Sequence, residues 1–126
     1  MKTLFYRCNI CGNIVTKTID SGVILECCSE YMEELEPKTT EMVSEKHLPV
    51  VTQIDENTWE VKVGSAPHPM LKEHYIEFIY FETQHGGQLA YLYPGMEPQA
   101  VFHSKEKPVA VYEYCNVHGL WKTEVK

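Results

Sequence analysis

The chain has 126 residues, with 11 Lys and Arg against 18 Asp and Glu, for a formal charge of −7 at neutral pH. That balance argues against nucleic acid or an anionic membrane as partner, since both demand clustered positive charge, and it suits a basic protein partner better. No stretch approaches the roughly 18 apolar residues of a membrane span, and the opening MKTLFYRCNI lacks the apolar run and cleavage site of a secretion signal, so a soluble, cytoplasmic protein is expected.

Residues 1–36 hold four of the five cysteines but too few large apolar side chains to build a core, so they are expected to form a small cross-linked module ahead of a domain spanning 37–126. YRCNICGN has the form of a metal knuckle. Two residues between Cys8 and Cys11 let both sulfurs reach one ion, and Gly12 supplies a positive φ if the turn needs one. The second half, LECCSE, has adjacent Cys27 and Cys28, which would point to opposite faces of an extended chain. The backbone must therefore bend for both to bind, and a distorted site is expected. In a reducing cytosol four clustered thiols read as metal ligands rather than disulfides, with zinc and iron both suited to four thiolates. A structural zinc ribbon and a vicinal disulfide are the competing readings; the disulfide would leave the knuckle half a ligand set.

From residue 39 onward the punctuation is that of β-structure. HLPVVTQI and TWEVKVG flank the turn-like DEN, and HYIEFIYFET and QLAYLYP flank HGG, predicting two hairpins. AVFHS and KPVAVYEYC read as a third pair across a Ser/Lys/Glu turn, with LWKTEVK closing the set. About seven short strands at this spacing predict a mainly β, two-sheet sandwich. Helix is not expected, beyond a turn or two at EEL near Pro37.

Histidines mark three stretches of this domain: SEKHLP with His47, APHPMLKEHY with His68 and His74, and YCNVHG with Cys115 and His118. His85 and His103 stand in predicted turns. Singly, a histidine in a turn is a solvated polar residue, and a cysteine in an apolar strand is a small buried hydrophobe. Together, Pro49, Pro67 and Pro69 stiffen the loops that bear two of the histidines, and Cys115 and His118 are close enough across a tight turn to bind one ion. Structural zinc takes four ligands and copper electron-transfer sites take two histidines with their cysteine, so four imidazoles and a thiolate point toward iron with a sixth position open.

These motifs, in order and over essentially the whole chain, resemble the desulfoferrodoxins, the two-iron form of superoxide reductase. C-x-x-C followed by C-C is similar to desulforedoxin; E-K-H, H-P-M, a further histidine and C-N-x-H are similar to neelaredoxin. The resemblance implies a rubredoxin-like iron held by Cys8, Cys11, Cys27 and Cys28, and an immunoglobulin-like sandwich carrying a second iron on His47, His68, His74 and His118 in a plane, with Cys115 axial.

By the same resemblance superoxide is reduced by one electron at the ferrous centre and leaves as hydrogen peroxide after two protonations. An axial thiolate pushes electron density toward the open position. Lys46, beside His47, attracts the anion or orients a proton-donating water. Glu45 would be the sixth ligand of the ferric resting state. Reduction needs an outside electron source, so rubredoxin or a similar small donor is the expected partner, and homodimers are common in the family. A plain electron-transfer iron protein without a catalytic role is the alternative.

Overall fold

Short runs of Val, Ile, Tyr and Phe broken by Gly, Pro and Asn favour strands over helices, and every regular element among the described residues is a strand. The computed structural model describes residues 3–40 and 46–126. Those residues hold no helix long and apolar enough to cross a membrane. Two compact units divide the chain, Met1–Glu36 and Pro37–Lys126.

In the first unit β1 (Phe5–Arg7) lies between β2 (Ile14–Thr16) and β5 (Glu33–Glu34), while β3 (Glu26–Cys27) and β4 (Glu30–Tyr31) form a separate hairpin. Phe5, Cys8 and Met32 are buried, but Ile10, Ile19, Val23 and Ile24 are exposed. That is too little apolar burial for an unaided fold, which leaves the cysteine cluster as the cross-link. The helical turn expected at EEL is absent. Glu33 and Glu34 pair instead with Arg7 and Tyr6, and the Leu35 N–H donates to the Phe5 carbonyl at 2.8 Å. Pro37 disfavours helical backbone just before it, and the ladder takes those polar groups.

Among its described residues the second unit is a seven-stranded sandwich of the immunoglobulin-like kind. One sheet is β10 (Gln99–His103), β7 (Thr58–Val63) and β6 (Pro49–Asp55). The other is β12 (Gly119–Glu124), β11 (Ala110–Cys115), β8 (Ile76–Thr83) and β9 (Gly86–Tyr91), in those orders. Trp59, Val61 and Val63 alternate inward from β7 and meet Ile79, Phe81 and Val111 of the facing sheet. Both hairpins read from the turns are present, β6 with β7 and β8 with β9.

The third expected pairing is not. β10 pairs with β7, and β11 pairs with β8 and β12. Phe102 explains the switch of sheet: its ring stacks on Phe81 at 4.9 Å and 18°. Phe81 belongs to the four-stranded sheet, so Phe102 reaches it face to face only from the opposite one.

Candidate metal centres

The sandwich gathers five donors at one end. His47 precedes β6, His68 follows β7, His74 precedes β8, Cys115 ends β11, and His118 sits in the turn to β12. Antiparallel pairing puts the starts of β6, β8 and β12 beside the ends of β7 and β11, so residues distant in sequence converge without any long loop. One ligand atom from each of the five lies within 4.8 Å of every other.

The four imidazoles form a closed cycle. His47 to His68, His68 to His74, His74 to His118 and His118 to His47 have ring centroids 4.6, 4.9, 5.0 and 4.7 Å apart, all edge to face. His47 Nε2 and His118 Nδ1 face each other at 3.0 Å. Two ligands at right angles, each about 2.1 Å from an ion, are separated by about 3.0 Å, so this spacing fits neighbouring positions on one metal. Cys115 Sγ lies 3.9 Å from His118 Nδ1 and is fully buried. His68 Nδ1 donates to the Pro69 carbonyl at 2.7 Å, which fixes the tautomer and leaves Nε2 as the donor atom. Among the described residues this group contains no sixth donor.

Further contacts hold the cycle. His47 stacks on Trp121 at 4.6 Å and 10°. Asn116, in the turn, accepts from the Tyr75 N–H at 2.8 Å and donates to the Glu73 carbonyl at 3.1 Å, clasping the segment that carries His74. Gly64 faces the backbone before His47: a Cβ there would come within 2.7 Å of the Lys46 carbonyl oxygen. Only a residue without a side chain permits that approach. Lys46 is half-buried beside His47, and Glu45 lies outside the described residues.

Four of these features were not read from the sequence: the Trp121 stack, the Asn116 clasp, the Gly64 seat and Glu113. The last had a signal. Val111, Glu113 and Cys115 alternate on one face of β11, and Glu113 is fully buried there, with no hydrogen-bond partner for either oxygen among the described residues. Burial pushes its carboxyl well above the usual range, opposed by the charge of Lys38. His85 and His103 stand apart from the five donors; His85 lies in a turn as expected and pairs with Glu106 at 2.5 Å, whereas His103 ends strand β10, opposite Thr58 of β7.

In the first unit Cys8, Cys11, Cys27 and Cys28 also have sulfurs within 4.8 Å of one another. Cys11 to Cys27 is 3.6 Å and Cys27 to Cys28 is 3.9 Å. A tetrahedron of sulfurs about 2.3 Å from one ion has edges of about 3.8 Å, whereas a disulfide would bring two sulfurs to about 2.05 Å. All five cysteines of the chain are free thiols. The bend required of the adjacent pair is present, with φ of 54° at Cys28 and 63° at Ser29, and Gly12 turns the knuckle with φ of 84°. The Cys11 N–H points at the Cys8 sulfur from 3.5 Å and, with its neighbours, draws that thiol down to about 6; sharing with Cys11 and Cys27 pushes Cys28 up to about 12. Asn13 Nδ2 donates to the Cys27 sulfur at 3.7 Å.

The sequence matches the family described as Desulfoferrodoxin over residues 39–124, and its N-terminal domain over residues 2–35. It is 40% identical over 120 residues to a desulfoferrodoxin of Desulfarculus baarsii, covering 94% of each chain. It is 37% identical over 107 residues to a superoxide reductase of Pyrococcus abyssi, covering 71% of this chain and 93% of that one. The structure matches the superoxide reductase of Treponema pallidum with a TM-score of 0.83 and 29% identity, covering 98% of each chain.

Proposed function

This chain belongs to the desulfoferrodoxin family, and from that premise we infer that it is a superoxide reductase, taking superoxide by one electron and two protons to hydrogen peroxide. The observation that carries the reading is the closed cycle of four imidazoles with one buried thiol beside it. That donor set suits a redox-active iron and exceeds what structural zinc uses. The family brings two irons, and the two donor sets provide for them: Cys8, Cys11, Cys27 and Cys28 for one, His47, His68, His74, His118 and Cys115 for the other.

When bound, the second iron supplies the single electron. The residues of the chain do the rest. Cys115 contributes a thiolate whose charge, in a buried setting, pushes electron density onto the metal. His68, tied to Pro69, and His74, clasped by Asn116, hold their ring nitrogens at fixed places, so little reorganisation accompanies electron transfer. Lys46 puts a cation next to His47 on a chain of net charge −7, where it draws an anionic substrate or orients a proton-donating water. Glu45 is assigned, by the E-K-H motif, as the sixth ligand of the oxidised state.

Reduction without dismutation consumes one outside electron per turnover. We assign its delivery to rubredoxin or a similar small electron carrier, and the acidic balance favours a donor with a basic face. A homodimer is part of the reading, supported by Ile10, Ile19, Val23 and Tyr31 exposed on the small unit. A cytoplasmic setting accords with five free thiols. The test is a pulse of superoxide onto the reduced protein under anaerobic conditions. One peroxide formed per superoxide, with no oxygen released, is the expected result; release of oxygen, or no consumption, would overturn the reading.

A further inference from the structure

The geometry points to Lys38 as a positioning residue of the five-donor centre, holding the His118 turn and biasing the bound metal toward its reduced state. Lys38 extends the edge of the four-stranded sheet. Its N–H donates to the Leu120 carbonyl and its carbonyl accepts from the Lys122 N–H, both at 2.9 Å, in a parallel bridge opposite Trp121. Trp121 in turn is opposite Glu113 on β11. Lys38, through its isolated bridge, Trp121 of β12 and Glu113 of β11 thus form one row, and directly opposite residues share a face.

From the outer end of that row the Lys38 ammonium turns back toward the centre. Nζ donates to the carbonyl oxygen of His118 at 2.7 Å, and it lies 5.1 Å from the Trp121 ring, the ring on which His47 stacks. One cation therefore sits one hydrogen bond from the first ligand-bearing residue and one indole from the second. The bond fixes the peptide that follows the His118 imidazole. The charge favours whichever metal state is less positive, and one-electron reduction lowers the charge of the centre by one. Lys38 is exposed, so screening limits the effect without removing it. The alkyl stem and the backbone bridge would survive loss of the charge, which separates an electrostatic role from a packing one.

The inference rests on the reading of this centre as an iron site. Its test is a spectroelectrochemical titration of the iron-loaded full chain, following the thiolate-to-iron absorption and needing no superoxide. Lys38→Met should lower the ferrous-to-ferric ratio at the wild-type midpoint by about threefold, a fall of about 28 mV at 59 mV per decade. Lys38→Gln, which keeps a donor without the charge, should also fall, and Lys38→Arg should return to the wild-type midpoint. Met and Gln variants at the wild-type midpoint, or an Arg variant as low as Met, would overturn the inference. A wild-type chain without the absorption of the large unit would overturn the iron reading itself and this inference with it, whereas that absorption present with an unmoved midpoint in the Met and Gln variants sinks this inference alone.

Discussion

The backbone N–H of His118 points at the sulfur of Cys115 from 3.4 Å, so the turn that presents the imidazole also donates to the thiolate. The two residues are one local unit, closed by the Cys115 to Gly119 pairing at the start of β12. Cys115→Ser keeps the shape of that turn but replaces a soft, charged donor with a neutral hydroxyl. The variant should lose the thiolate-to-iron absorption of the large unit and its superoxide turnover, while the absorption of the Cys8 cluster persists. Full activity in Cys115→Ser would show that the sulfur is not a ligand.

Asn116 gives the clasp a test of its own. Asn116→Ala removes two side-chain hydrogen bonds to the segment carrying His74, each worth on the order of 1 kcal/mol and less where exposed. Stability should fall modestly, but metal affinity at the large site should drop by roughly 10- to 100-fold, the scale for groups that orient ligands. Metal release into a chelator, timed against wild type, measures it. A release rate equal to wild type would mean that His74 is held by other contacts.

The strands and ligands were legible because their signals are local. Alternation in TWEVKV and the turn sequences DEN and HGG specify hairpins within a few residues. The destination of β10 was not legible, since a turn says where the chain bends and not which sheet it rejoins. Phe102 decides that, by stacking on a residue of the other sheet. The five donors were readable from residue type and loop rigidity. Their supports were not: Asn116 reaches across 41 and 43 residues of sequence, and Lys38 reaches across 80. Nothing in the vicinity of Lys38 in sequence distinguishes it from a solvated lysine beside a proline.

The Cys8 cluster sets a pH dependence for the metal-free chain. Cys8 is drawn from an ordinary 9.0 to about 6 and Cys28 is pushed up to about 12, so at neutral pH Cys8 is a thiolate while Cys28 holds its proton. A depressed folded value means that the thiolate's contribution to stability is complete above pH 9 and is lost as pH falls through about 6. Metal binding must expel the protons that Cys27 and Cys28 retain, so affinity falls as acid is added. An ultraviolet titration of the metal-free chain should show one thiolate step near pH 6 that disappears in Cys8→Ser. A step that survives in that variant belongs to another thiol.

Lys46 separates attraction from proton delivery. Its backbone is seated against Gly64, where no side chain could fit, so its position relative to His47 is set by packing rather than by its charge. Lys46→Ile should therefore leave the thiolate-to-iron absorption unchanged. If the ammonium chiefly draws superoxide toward a chain of net charge −7, the second-order rate of the first encounter should fall on the order of tenfold. The loss should be largest at low ionic strength and shrink as salt rises, since a Debye length of about 10 Å at 0.1 M screens the wild-type cation while the variant has little left to screen. Superoxide generated by pulse radiolysis at several salt concentrations reads both quantities. An encounter rate equal to wild type, with a slower second step, would assign Lys46 to protonation of the departing peroxide and end the steering account.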